Sequence, residues 1–180
     1  MPGPLTGLHA LVTGAGRGIG AAIVRTLAAA GADITLLGRS QPALAGVAAA
    51  LGAVRRSCQV ADVSNAESVR AAIGAARAAI GPITVLVNNA GQALSGPLGA
   101  TDDALWQSML SVNLTGTFLC MRECLPDMLK AGFGRIVNVA STAGLVGYPY
   151  EVADTVRWLC LRSTGSITGQ SIAVAGGEVT

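Results

Sequence analysis

The chain has 180 residues, 51% of them hydrophobic and 12% charged, and a net charge of +2 at pH 7. That length suits one domain with a sizeable core, and the near-neutral balance excludes a field that would draw nucleic acid or a membrane surface. Twelve scattered basic residues and 3% aromatics also exclude a base-stacking platform.

Leu8 to Val12 is an apolar run without alternation, the pattern of a strand buried on both faces. Thr13-Gly14-Ala15-Gly16-Arg17-Gly18-Ile19-Gly20 follows, and then a helical segment with Ile19, Ile23 and Leu27 on one face. A strand, a glycine-rich turn and a helix in that order make a phosphate site. Glycines let backbone N–H groups approach the anion, and the helix N-terminus adds partial positive charge.

Ile34 to Leu37 reads as a second strand, Ser40 to Leu51 as a helix with Pro42 in its first turn, and Val54 to Val60 as a third, more polar strand ending at Asp62-Val63. Ser64 and Glu67 have the spacing of a capping box for a helix reaching Ile80. Ile83 to Val87 reads as a fourth strand, followed by Asn88-Asn89-Ala90-Gly91. A long helix is expected from Thr101 to Lys130, with Asp102 and Asp103 at its positive end and Pro126 dividing or kinking it. Arg135 to Ala140 is a fifth strand, ending at Ser141. Strands alternating with helices predict an α/β fold, a doubly wound parallel sheet in three layers.

The four cysteines, Cys58, Cys120, Cys124 and Cys160, form no disulfide framework, and with His9 the only histidine they read as small buried hydrophobes instead of metal ligands. No leader pattern opens the chain and no apolar run is long enough to cross a bilayer, which together predict a protein of the reducing cytoplasm.

A carboxylate at the end of the second strand would bind the 2′-hydroxyl of a dinucleotide. Gly38 and Arg39 stand there instead, and Asp33 lies at the opposite end of that strand. A guanidinium pairs with a 2′-phosphate, and Arg17 adds a second positive charge. NADP(H) is therefore favoured over NAD(H), while a solvated surface residue is the alternative for each arginine.

Taken together, T-G-x-x-x-G-x-G, Asp62-Val63, Asn88-Asn89-Ala90-Gly91, Asn113 and Ser141 resemble the short-chain dehydrogenase/reductase family, with its Rossmann-type fold. Within it the chain is similar to bacterial 3-oxoacyl reductases and secondary-alcohol dehydrogenases. The resemblance implies that Gly14, Gly16, Arg17, Gly18, Ile19 and Gly20 hold the pyrophosphate and Arg39 the adenosine phosphate. It implies Asp62 and Val63 at the adenine, and Asn89, Ala90 and Gly91 along the ribose and the path to the nicotinamide. Ser141 would donate to the substrate oxygen and Asn113 would anchor a water of a proton relay. A small-molecule ketone or alcohol as substrate is implied as well, with a homotetramer or homodimer built partly from the long helix.

The chain departs from the family where the proton donor should stand. The family uses a tyrosine followed four residues later by a lysine. Here Val152 and Asp154 follow Tyr148 and Tyr150 at that spacing, and the only lysine is Lys130. Thirteen residues beyond Ser141, where the tyrosine is expected, stands Asp154, inside a segment similar to the family's last helix. Ile167 to Gly177 is similar to its final strand. A single domain over 1–180 with a gap between residues 150 and 151 is thus expected, lacking the helix with tyrosine and lysine, the sixth strand and the substrate loop. A parent chain that retains them would exceed 17.9 kDa by intact mass, and a matching mass would refute it. The expected function is an NADP(H)-dependent oxidoreductase interconverting a ketone and a secondary alcohol. The alternatives are a truncated, non-catalytic dinucleotide-binding or assembly subunit and, with less support from the glycine spacing, an epimerase or dehydratase.

Overall fold

The computed structural model describes residues 2–94, 97–140 and 149–174. Five parallel strands, β1 (His9–Thr13), β2 (Asp33–Gly38), β3 (Arg56–Val60), β4 (Val85–Asn88) and β5 (Arg135–Asn138), form one sheet in the order β3-β2-β1-β4-β5. The apolar strands β1 and β4 are buried along their whole length, whereas the more polar β3 and β5 take the edges. Helices α1 (Gly18–Ala29), α2 (Gln41–Ala49) and α6 (Pro149–Leu159) cover one face, where Ile23, Leu27, Leu44, Val47 and Val156 share a core. On the other face α3 (Ala66–Ile80) and α5 (Gly116–Ala131) bury Val69, Ile73, Leu119 and Met128. This is the expected three-layer Rossmann-like α/β fold.

Three local expectations are corrected. Asn65, not Ser64, caps α3: its Oδ1 accepts from Ser68 N at 2.8 Å, while Ser64 donates both its N–H and its hydroxyl to Asp62. The long helix is not divided at Pro126, which lies inside α5. It is interrupted instead between α4 (Asp103–Leu110, capped by Asp102) and α5, where Ser111–Thr115 form a π turn centred on Asn113. Finally, residues 171–174 of the expected last strand are not in a strand. A strand exists only by pairing with a neighbour, and none of the five pairs with this segment.

Cys120, Cys124 and Cys160 are fully buried and free, and burial pushes each thiol up to about 12. They pack as small hydrophobes, as expected. Arg77 on α3 donates to Asp127 on α5 at 2.7 Å and to the Glu123 carbonyl, and Asp127 also accepts from Ile83 N at 3.0 Å. This ties the second face together below β4.

His9, 4% exposed at the start of β1, meets the Gly81 carbonyl through Nδ1 at 2.9 Å and the Thr35 hydroxyl through Nε2 at 2.8 Å. The carbonyl can only accept, so Nδ1 carries the proton and Nε2 accepts from Thr35. Burial depresses the imidazole below its ordinary 6.5, outweighing its hydrogen bonds to the Gly81 and Pro82 backbone. The unfolded chain therefore takes up the proton first as pH falls. The stability contributed by neutral His9 is complete above about pH 6.5 and is lost below it, by about 1.4 kcal/mol per pH unit until the folded-state value is reached. Urea midpoints at pH 7.5 and 5.5 should differ in that direction, and the difference should shrink in His9→Gln.

Candidate functional site

The order of strands reverses between β1 and β4, and the carboxyl ends of these two strands open the crevice in which an α/β sheet binds its ligand. Thr13 ends β1 and is 1% exposed. Its hydroxyl oxygen accepts from the backbone N–H groups of Asn89 at 3.0 Å and Ala90 at 2.9 Å. In return the Asn89 side-chain amide donates to the Thr13 carbonyl at 3.0 Å. Thr13 and Asn89 thus latch the loop after β4 to the glycine turn after β1.

Gly14 has φ +66°, and a Cβ there would lie 2.9 Å from Ala90 Cα. Both the left-handed backbone and the closeness of the second loop require glycine. Gly20 would place a Cβ 2.5 Å from Asn89 Nδ2 and against the Gly14 carbonyl. Arg17 caps α1 in an extended conformation with no side-chain hydrogen bond, so the first-turn N–H groups face outward without an internal acceptor. Gly18, with φ +53°, has open space where a side chain would be. The uncapped first turn of α1 thus presents N–H groups and partial positive charge, which suits a pyrophosphate, while the Ala15 N–H is taken by the Leu37 carbonyl at 3.2 Å. A Cβ on Gly16 would lie 3.0 Å from Ala43 Cβ on α2, and half-buried Ile19 packs against the core.

Arg39 is exposed at the end of β2, and Arg17 is exposed in the turn. Asp33 sits at the far end of β2, paired with Arg55 at 2.6 Å, away from the crevice. Asp62 follows β3. Its Oδ1 accepts from the Ser64 hydroxyl at 2.7 Å and the Ser64 N–H at 2.9 Å, and these bonds hold the carboxyl below its usual range, with the positive charge of Arg39 adding to the effect. Asp62 is therefore an ionised acceptor within the electrostatic influence of Arg39. Val63 is buried and packs against Gly116, where a Cβ would come within 2.9 Å of Val63 Cγ2.

Asn113 projects from the π turn onto the loop after β4. Its Oδ1 accepts from Gln92 N and its Nδ2 donates to Gln92 O, both at 2.9 Å, and a Cβ on Gly91 would lie 3.2 Å from Oδ1. Gln92 in turn donates to Ser108 at 2.7 Å. Asn88 and Asn138 join the ends of β4 and β5 at 2.9 Å. Ser141 lies outside the described residues. The crevice therefore brings together the glycine turn, Asn89, Ala90, Gly91 and Asn113, with Arg39 and Asp62 just beyond the carboxyl ends of β2 and β3. Sequence reasoning missed the latch of Thr13, the Gln92 bracket and the Gly116–Val63 contact. A glycine inside a helical apolar pattern was the available signal for the last of these.

Comparison with known proteins agrees with this fold. A sequence model described as short chain dehydrogenase matches residues 8–153. Over 142 residues the chain is 42% identical to a galactitol 2-dehydrogenase (L-tagatose-forming) of Cereibacter sphaeroides, covering 79% of this chain and 56% of that protein. It is 40% identical over 157 residues to an inactive 2-(S)-hydroxypropyl-CoM dehydrogenase 2 of Xanthobacter autotrophicus, covering 84% and 68%. A crystal structure described as a short-chain alcohol dehydrogenase, from Sinorhizobium meliloti 1021, superimposes with a TM-score of 0.74 at 36% identity, over 84% of this chain and 63% of that one. The chain thus spans little more than half the length of the galactitol relative.

Proposed function

This chain belongs to the short-chain dehydrogenase family, whose cofactor is a nicotinamide dinucleotide, and we propose that it binds NADP(H) as the cofactor half of an oxidoreductase interconverting a ketone and a secondary alcohol. The observation that carries this reading is the cradle latched by Thr13 and Asn89, with Arg39 exposed at its adenosine end. When bound, the dinucleotide supplies the hydride. The glycine turn of Gly14, Gly16, Arg17, Gly18, Ile19 and Gly20, with the open first turn of α1, holds its pyrophosphate, Arg39 pairs with its 2′-phosphate, and ionised Asp62 with Val63 receives the adenine. Asn89, Ala90 and Gly91 floor the ribose, and Ser141 donates to the substrate oxygen. Oδ1 of Asn113 accepts one hydrogen bond from Gln92 and keeps a lone pair for the relay water.

Arg39→Ala should weaken NADPH binding at least about tenfold, because a charge-assisted bond contributes about 1.5–3 kcal/mol, and leave NADH binding unchanged. Fluorescence titration with both cofactors checks this, and an unchanged preference would overturn the assignment to NADP(H).

Hydride transfer to a ketone must be matched by a proton, and the 180 residues hold no tyrosine followed four residues later by lysine. We assign both to a segment interrupted at 150/151 of an otherwise single domain. That absence, together with a relative named as inactive, supports a second reading: a dinucleotide-binding or assembly subunit without catalysis. NADPH oxidation over a panel of small ketones and 3-oxoacyl thioesters separates the two readings, since binding without turnover selects the second. The exposed Trp106, Leu114, Phe118, Leu125 and Leu129 along α4, the π turn and α5 support a homo-oligomer contact on that face. No helix among the described residues is long and apolar enough to cross a membrane.

A further inference from the structure

Alanine favours a helix without filling the space beside it, and this chain sets two alanine-rich stretches against each other. Arg25, Ala28 and Ala29 share one face in the second half of α1, and residues 50–54 make the turn between α2 and β3. Between them lies a cleft of about 430 Å³, at the opposite end of α1 from the glycine turn. That volume falls in the range of about 300–1,000 Å³ that small-molecule sites occupy. Its walls are the methyl groups of Ala28, Ala29, Ala50 and Ala53 with the side chains of Leu51 and Val54.

The cleft also gathers donors that the chain leaves unused. Among the described residues the N–H groups of Gly52 and Ala53 meet no acceptor. The exposed Arg25 guanidinium likewise makes no ion pair there, and no carboxylate lines the cleft. Arg56 brings a second positive charge to the turn, its Nη1 donating to the carbonyls of Gly52 at 3.1 Å and Leu51 at 3.5 Å.

Two helices end at this cleft, and open carbonyls at a helix C-terminus repel an anion. Most of these carbonyls are already engaged. Those of Thr26, Leu27 and Ala28 accept from the N–H groups of Ala30, Ala32 and Gly31, and those of Val47 and Ala48 from Ala50 and Leu51. The balance at the cleft is therefore positive. Successive backbone N–H groups beside a guanidinium suit an oxyanion.

We propose that this cleft binds a small aliphatic monocarboxylate. Its oxygens take the N–H groups of Gly52 and Ala53 and the Arg25 guanidinium, and its hydrocarbon chain lies on the alanine methyls. A carboxylate fits better than a phosphate, because the free guanidinium balances a single charge and the walls beyond it are apolar. The site is separate from the cofactor crevice and stands whether or not the chain binds NADP(H).

Titration of the 180-residue chain with hexanoate, followed by amide NMR, tests the proposal. The Gly52 and Ala53 signals should shift and saturate, while the neutral isostere hexanamide should leave them in place. Arg25→Gln should weaken hexanoate binding at least about threefold, the discount reflecting an exposed arginine. Ala29→Leu keeps a good helix former at an exposed position and fills the cleft, so it should abolish binding. Both variants should bind NADPH as the parent does, which separates this site from the cofactor reading. Shifts that rise without saturating, an equal response to hexanamide, or unchanged binding in Arg25→Gln would overturn the site.

Discussion

Thr13→Val is expected to destabilise the fold by about 2–4 kcal/mol and to weaken NADPH binding at least tenfold. Valine has nearly the shape of threonine, so packing at this 1%-exposed position is preserved and only the hydroxyl is removed. The Asn89 and Ala90 N–H groups then lose their shared acceptor, and each buried donor left unpaired costs about 1–3 kcal/mol. The second effect follows from the first. Without the acceptor, the loop after β4 is held to the glycine turn only through the Asn89 side chain, at 3.0 Å from the Thr13 carbonyl. Thr13→Ser keeps the acceptor and should retain most of both properties. Urea unfolding and cofactor fluorescence measure the two effects, and a valine variant with wild-type values would refute the latch.

That latch shows which parts of the site a sequence exposes. The glycine turn is legible because its signal is local: strand, four alternate glycines and helix all lie between His9 and Ala29, and the phosphate chemistry follows from backbone geometry alone. Asn89 is visible as part of a motif, but its work is not. The residue it holds is Thr13, 76 positions earlier, and only the parallel pairing of β1 with β4 brings the two together. The reading of Asn89 and Ala90 along the ribose therefore carries none of the hydrogen bonds that build this loop.

The other departures have similar causes. Ser64, Asn65 and Asp62 all carry oxygen acceptors suited to a cap, and the choice between them depends on Ser64 being drawn to Asp62. The helix interruption at Ser111–Thr115 leaves no mark in hydrophobic spacing, because a π turn inserts a single residue. Pro126 looks like the more obvious break, yet a proline removes one hydrogen bond without ending a helix that is packed against α3 and β4. For residues 171–174 the pattern is that of a strand. What it lacks is a paired neighbour in the five-stranded sheet.

The Gly20→Ala substitution separates steric closeness from helix propensity, because the two effects oppose each other. Gly20 lies in the first turn of α1 at ordinary helical φ, so alanine alone would favour the helix by up to about 1 kcal/mol. Against this, the new Cβ would collide with the Gly14 carbonyl and fall 2.5 Å from Asn89 Nδ2. A backbone carbonyl inside a latched turn cannot move aside as a flexible side chain can, and overpacking of this kind costs about 1–3 kcal/mol or more. The collision wins: Gly20→Ala should lower stability by about 2 kcal/mol and abolish measurable NADPH binding, because any relief displaces the turn that would hold the phosphates. Gly74→Ala is the matched control. It lies exposed inside α3 with nothing within 4 Å of the added carbon, so there propensity acts unopposed. That variant should gain about 0.5–1 kcal/mol and bind cofactor as the parent does. Urea unfolding of the pair is the decisive measurement: if both variants shift in the same direction, the closeness of Gly20 to the turn does not govern the site.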